Sequence, residues 1–296
     1  MSNTLPPHRR LSWLKCIELV GLPLLLTVSL WGGATLFFSD LRETLNPPPA
    51  AAEPQPADGA RLFAQNCAYC HGERGDGNGI ASLSVKARYF GAEPYKFTDT
   101  VGTKIPTDDA LTATLRRGIA GSSMPSFKHL RDDELQALVG HLRTLTRKGL
   151  YEQLTRKALK EADEGGDDPN PTAIAAKVDD LCKVGTPLAV PKDFRPSDAS
   201  SIAAGRTLFL AQCATCHGPE GLGNGAQVKD LKNDNGTPAH PRNLSTGVFK
   251  GGKDKQYLYA RLVVGIPGTP MPALPPNAPP ADAADLINYV LSLSGG

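Results

Sequence analysis

Four of the chain's six cysteines stand in two short runs, Cys67-Ala68-Tyr69-Cys70-His71-Gly72 and Cys213-Ala214-Thr215-Cys216-His217-Gly218. On a helix, positions i, i+3 and i+4 share one face. Two thiols so placed reach the two vinyl groups of one porphyrin, and the histidine turns its imidazole onto the iron. Cys-x-x-Cys-His is the attachment signature of a c-type haem. A zinc site or a thioredoxin-like dithiol is the competing reading of a single such run. Zinc wants further thiol or imidazole ligands at short spacing, and none follows either run. The recurrence of the run, each time ending in His-Gly within a similar longer frame, favours two covalently bound haem c groups.

An iron that only carries electrons has a ligand on each face. His71 and His217 are the expected proximal ligands. The chain holds three methionines, Met1, Met124 and Met271. Met124 follows His71 by 53 residues and Met271 follows His217 by 54. A methionine more often fills a gap in a core. These two instead lie in Gly/Pro loops, Gly121-Ser122-Ser123-Met124-Pro125 and Gly268-Thr269-Pro270-Met271-Pro272, which can lay a thioether over a porphyrin face. His129, His141 and His240 are the competing ligands. Two of these suit a helix surface and the third precedes a proline. His/Met ligation raises the reduction potential. A proximal histidine also donates its second N–H, often to a carbonyl, and Pro94 and Pro241 are the candidates for it.

The elements that must place these groups occur twice. Gly59-Ala60-Arg61-Leu62-Phe63 leads into Cys67, and Gly205-Arg206-Thr207-Leu208-Phe209 leads into Cys213, at an offset of 146. The offset holds through Gly79/Gly225. It becomes 147 at Pro94/Pro241, Gly118/Gly265 and Met124/Met271. Asp58 reads as the N-cap of the first helix. Residues 108–117 read as a helix with acids in the first turn and Gly118 as its stop. Asp254 to Val264 is the counterpart, stopped by Gly265. Leu135, Leu138, Val139 and Leu142 mark one closing helix, and Leu286, Ile287, Val290 and Leu291 the other. No run alternates with period two, so no strand is expected. The fold class is mostly α.

Residues 1–16 are basic, and an apolar run extends over 17–38. About 20 apolar residues span a hydrocarbon core of ~30 Å. With Lys and Arg before it, the run is expected to anchor the chain with its N-terminus in the cytoplasm and all that follows outside. A cleaved signal peptide would have a shorter apolar stretch. Residues 39–57 form a Pro/Ala-rich spacer. The first repeat covers 58–146. A charged helical segment and linker with several prolines covers 147–197, including one short helix near 172–182. The second repeat covers 198–296. Cys16 and Cys182 have no assigned role. A net charge of +2 argues against a nucleic-acid partner.

Both repeats resemble class I cytochrome c domains, over about 58–146 and 198–294. The resemblance rests on the helix entering Cys-x-x-Cys-His-Gly, on Pro241-Arg242-Asn243-Leu244, on the Met-Pro loop and on the closing helix. Pro94-Tyr95-Lys96-Phe97 is a looser match. It implies a helical fold around each haem with one haem edge exposed. The layout is similar to membrane-bound dihaem cytochromes of bacterial respiratory chains, including oxidase subunits of the cbb3 type. The expected function is single-electron transfer between redox protein partners at the outer face of the cytoplasmic membrane, with no catalysis. A subunit of a terminal oxidase or of a quinol-oxidising complex is the alternative. A dihaem peroxidase or a thiosulfate dehydrogenase is the enzyme alternative. The prolines of spacer and linker suggest domains that swing between donor and acceptor. Lys250, Lys253 and Lys255 are candidates to dock an acidic partner, or a plain solvated surface.

Overall fold

The computed structural model describes residues 57–81, 83, 86–91, 93–102 and 105–295. The apolar run at 17–38 and nearly all of the spacer lie outside these residues. Among those described, no helix is long and apolar enough to cross a membrane.

In each half, the helix entering the cysteine run crosses the closing helix at a glycine. Helix α1 (Gly59–Asn66) begins at Asp58, whose carboxylate accepts from the Ala60 and Arg61 N–H groups at 3.0 and 3.3 Å. Helix α2 (Ala68–His71) is the single turn that carries the motif. Helix α3 (Asp108–Arg117) ends where Gly118 takes φ of 72°, a conformation that costs a Cβ-bearing residue energy. Helix α4 (Asp132–Asp163) is far longer than the four expected apolar positions require. The closing helix and the charged segment after it form one continuous rod. A methyl at Gly59 would collide with the Ala137 carbonyl of α4, so the side-chain-free position lets the backbones meet.

The second half repeats the plan. Helices α6 (Ala199–Gln212), α7 (Ala214–His217), α8 (Lys255–Val264) and α9 (Pro280–Ser292) correspond to α1, α2, α3 and the first part of α4. Gly205 meets the Asp285 carbonyl as Gly59 meets that of Ala137. Beside each crossing an aromatic pair fills the gap. Phe63 lies 5.2 Å from His141, and Phe209 lies 5.2 Å from Tyr289.

Leu135, Leu138, Val139 and Leu142 are all buried, and they form one core with Leu62, Phe63, Leu111 and Leu115. Leu286 and Ile287 are buried with Phe209, Leu244 and Leu258 in the other. The second core also encloses a polar cluster. Asp285 accepts from Arg195 Nη1 at 2.9 Å and from Ser201 Oγ at 2.5 Å. Asn288 Nδ2 donates to Ser201 Oγ at 2.8 Å and to the Pro196 carbonyl at 3.0 Å. These bonds tie the end of the linker to α9.

The segment between the halves folds back on the first. Helix α5 (Pro171–Leu181) buries Ile174 and Val178, and its residue Asp179 pairs with Arg147 of α4. A short antiparallel pair, β1 (Thr100–Val101) with β2 (Thr186–Pro187), follows. Two-residue strands have no room to show a period, which is why the sequence pattern misses them. The halves also grip each other. Arg261 of α8 donates from Nη1 to the Lys96 carbonyl at 2.8 Å and from Nη2 to that of Thr98. Arg117 of α3 stacks over Tyr257 of α8, 4.5 Å from the ring centre. Freely swinging domains, as the linker prolines suggest, are not what these contacts describe.

Candidate haem sites

Each motif is wound by its own backbone. Cys67 ends α1, and its carbonyl accepts from the Cys70 and His71 N–H groups at 3.1 and 2.9 Å. Cys213 does the same for Cys216 and His217 at 3.1 and 2.8 Å. Each one-turn helix, with the cysteine before it, holds the two cysteines and the histidine within a single turn of backbone. Burial pushes the Cys67 and Cys213 thiols up to about 11, with Cys70 and Cys216 adding a smaller like-charge push. A redox-active dithiol needs the opposite shift. Among the described residues, no group of three or more His, Cys, Asp or Glu could hold a metal ion, so a zinc site lacks donors.

The histidines are oriented from behind. His71 Nδ1 lies 3.2 Å from the Arg88 carbonyl, and His217 Nδ1 lies 3.3 Å from the Arg242 carbonyl. A carbonyl only accepts, so the proton sits on Nδ1 and Nε2 keeps its lone pair for a metal. Burial holds both imidazoles below their ordinary pKa, while the carbonyl bonds pull the other way. That favours the neutral form a metal requires.

The accepting carbonyls differ from the expected Pro94 and Pro241. In the second half the acceptor is the residue after Pro241. In the first half it lies six positions before Pro94. A methyl at Gly77 would meet the Ala87 carbonyl, and one at Gly223 that of Pro241. Phe90 N–H donates to the Gly75 carbonyl as Leu244 N–H donates to that of Gly221. The counterpart of Pro241-Arg242-Asn243-Leu244 is therefore Ala87-Arg88-Tyr89-Phe90, not Pro94-Tyr95-Lys96-Phe97. Pro94 has another place, against the second half. Only Arg and an apolar fourth residue survive between the two segments, too little for a sequence comparison anchored on proline.

Met124 and Met271 are half-buried in loops that close in the same way. Ile119 N–H donates to the Met124 carbonyl at 3.2 Å, and Ile266 N–H to that of Met271 at 3.1 Å. Ser122 Oγ donates to the Ile119 carbonyl at 2.7 Å and accepts from the Met124 N–H at 3.2 Å. Thr269 repeats both bonds at 2.7 and 3.3 Å. These hydroxyls were not among the residues expected from the motifs. Their sign was present, a Ser and a Thr two places before each methionine. Met124 packs against the core that also holds Cys67 and Ala68.

The competing histidines stand elsewhere. His129 and His240 are exposed. His141 fills the helix crossing as Tyr289 does in the other half. Beside Cys70 opens a cavity of about 400 Å³, lined among others by Asn78, Leu83 and Lys86. Paired thiols, an imidazole with a free Nε2 and a thioether loop together fit a covalently attached haem in each half.

Comparison with known proteins bears directly on this geometry. Residues 54–142 match the family model of cytochrome c oxidase, cbb3-type, subunit III, and residues 202–294 match that of cytochrome c. Both halves of the chain are cytochrome c domains. This tandem cytochrome is 28% identical over 181 residues to the cbb3-type cytochrome c oxidase subunit FixP of Azorhizobium caulinodans, covering 60% of this chain and 55% of that one. It is 26% identical over 241 residues to the cbb3-type subunit CcoP of Azospirillum brasilense, covering 81% and 62%. The chain thus spans 55% and 62% of the lengths of these two relatives. A chain of the Kuenenia stuttgartiensis reducing HAO-like protein complex matches in structure with a TM-score of 0.63. It is 28% identical, and the match covers 79% of this chain and 94% of that one. Two covalently bound haem c groups are the cofactors of the tandem cytochrome.

The lysines weighed as a docking patch separate in the cytochrome. Lys255 Nζ donates to Asn288 Oδ1 at 2.7 Å and serves the second core. Lys250 has its pKa lowered by burial and then by Arg242 and Lys96. Lys253 is exposed.

Proposed function

We propose that this tandem cytochrome is the dihaem subunit of a terminal oxidase of the cbb3 type and passes single electrons toward its partner subunits. The match of the first domain to the cbb3-type subunit III model, with FixP and CcoP among the relatives, carries this reading. In it, Cys67 and Cys70 bind one haem and Cys213 and Cys216 the other, through thioethers. His71 and His217 are the proximal ligands, and Met124 and Met271 the distal ones. Haem c supplies a one-electron iron couple. The chain's own residues set the geometry. The Arg88 and Arg242 carbonyls fix each imidazole, and Ser122 and Thr269 hold each methionine loop. A histidine and a methionine held at each iron would leave it no open position for a substrate, so in this reading the chain carries electrons and its partners do the bond chemistry. Residues 17–38 anchor it, with the haem domains on the outer face of the cytoplasmic membrane.

Purification from native membranes in mild detergent tests this. Oxidase subunits should accompany the chain, with two haem c per polypeptide. A dihaem chain that emerges alone would instead be a free carrier. Carbon monoxide binding by the reduced chain would mean an open iron and an enzyme.

A further inference from the structure

The residue that steadies each proximal histidine is an arginine, and in both domains its side chain helps the segment behind the histidine meet the other domain, Arg242 directly and Arg88 through Pro94. The Arg242 carbonyl receives His217 Nδ1. Its guanidinium lies over Gly121 at the turn of the Met124 loop, where a methyl would collide with Nη2. Its Nε donates to the Val248 carbonyl at 2.9 Å, which fixes the side chain in that pose. The Arg88 carbonyl receives His71 Nδ1. Its guanidinium donates to the carbonyls of Glu93 and Pro94 and stacks 3.9 Å from the centre of the Tyr95 ring. Pro94, so held, is the surface on which Gly268 of the Met271 loop rests, with Pro94 Cγ 2.8 Å from where a methyl would stand. Asn235 of the second domain donates to Glu93 at 3.3 Å beside it. Each methionine loop therefore leans on the histidine-bearing segment of the opposite domain, directly through Arg242 or through Pro94 by way of Arg88.

We propose that Arg88 and Arg242 are positioning residues that couple the two haem sites, each holding the other domain's methionine loop in place. The inference rests on the ligand assignment above. The chain through which coupling travels is short and contiguous: imidazole, carbonyl, guanidinium, opposing loop. The two centres then do not titrate independently. Removing the Arg242 cation also takes a positive charge away from the first haem site, which eases its oxidation and lowers its midpoint potential.

The test uses the full chain with both haems in place. The two methionine methyl resonances of the reduced protein are assigned by their separate loss in Met124→His and Met271→His. Arg242→Gln should then move the Met124 resonance and lower the first haem's midpoint, although no residue of the first domain has changed. Arg242→Lys keeps the charge but loses the fork, and should move the resonance with less change in potential. Arg88→Gln should move the Met271 resonance. Unchanged Met124 signal and first-haem midpoint in Arg242→Gln, with two haems bound, would overturn the coupling. If the parent protein shows no methionine resonances, the ligand assignment fails first and the coupling falls with it.

Discussion

Two imidazoles in the first domain show how place, not type, decides a residue's work. His71 is tied through Nδ1 to the Arg88 carbonyl, which leaves Nε2 free for a metal. His141 is a packing ring in the position that Tyr289 occupies in the second domain. Burial holds its pKa below 6.5, with Asp58 opposing. A histidine with a depressed folded pKa binds fewer protons folded than unfolded. Its contribution is therefore intact above 6.5 and is lost as pH falls through and below that value. His141→Tyr should make unfolding of the haem-loaded chain less sensitive to acid in that window, as read from thermal melts across pH. A melt series that parallels the parent's would refute it. The proposed distal sulfurs give a second prediction at this scale. Met124→His should lower the potential of one haem and leave two haems bound, because His/His ligation lies below His/Met. Redox titration of the variant decides it, and an unmoved potential would remove Met124 from the iron.

At the scale of the element, the helix crossing is the most demanding contact. α1 meets α4 at Gly59, and α6 meets α9 at Gly205, with no room for a Cβ against a carbonyl. Gly205→Val should destabilise the second domain by about 1–3 kcal/mol through overpacking. Leu135→Ala, at a fully buried position of the first domain, should cost about 2–5 kcal/mol through the cavity it leaves. Denaturant titration of each variant measures both. The helices themselves were readable from the chain. Asp58 is a cap, Asp108 and Asp109 open the next helix, Gly118 and Gly265 are stops, and Leu135, Leu138 and Leu142 repeat at helical spacing. These signals act within a few residues and need no tertiary partner. The continuity of α4 through Asp163 was not readable, because its second part has no apolar stripe of its own. It is held in part by α5, which comes later in the chain.

For the molecule as a whole, the contact between the domains sets how the haems relate. Arg261 reaches from α8 to the Lys96 and Thr98 carbonyls, and its Nε is buried without a partner among the described residues. Desolvation lowers its pKa to about 10, with Arg117 adding to the fall. A cation so placed is retained only while its donors are used. Arg261→Ala should release the clasp without unfolding either domain. Calorimetry should then separate one unfolding transition into two, and small-angle scattering should report a larger radius. A single unchanged transition would mean the domains are joined mainly elsewhere.

The sequence alone determined the haem chemistry, the duplication and the helical plan, because thiol and imidazole spacing, caps and apolar periods are local. It also offered both methionines as candidate ligands, from their matched places in two Gly/Pro loops. Tertiary structure alone decided which carbonyl steadies each histidine. That carbonyl belongs to Arg88 or Arg242, 17 and 25 residues beyond its imidazole, and main-chain oxygens carry no sequence label. It decided, too, that the Arg242 side chain meets the opposite domain, and that Pro94, held by Arg88, does the same. Such contacts join residues more than a hundred positions apart, and nothing in the local pattern of either segment records its partner.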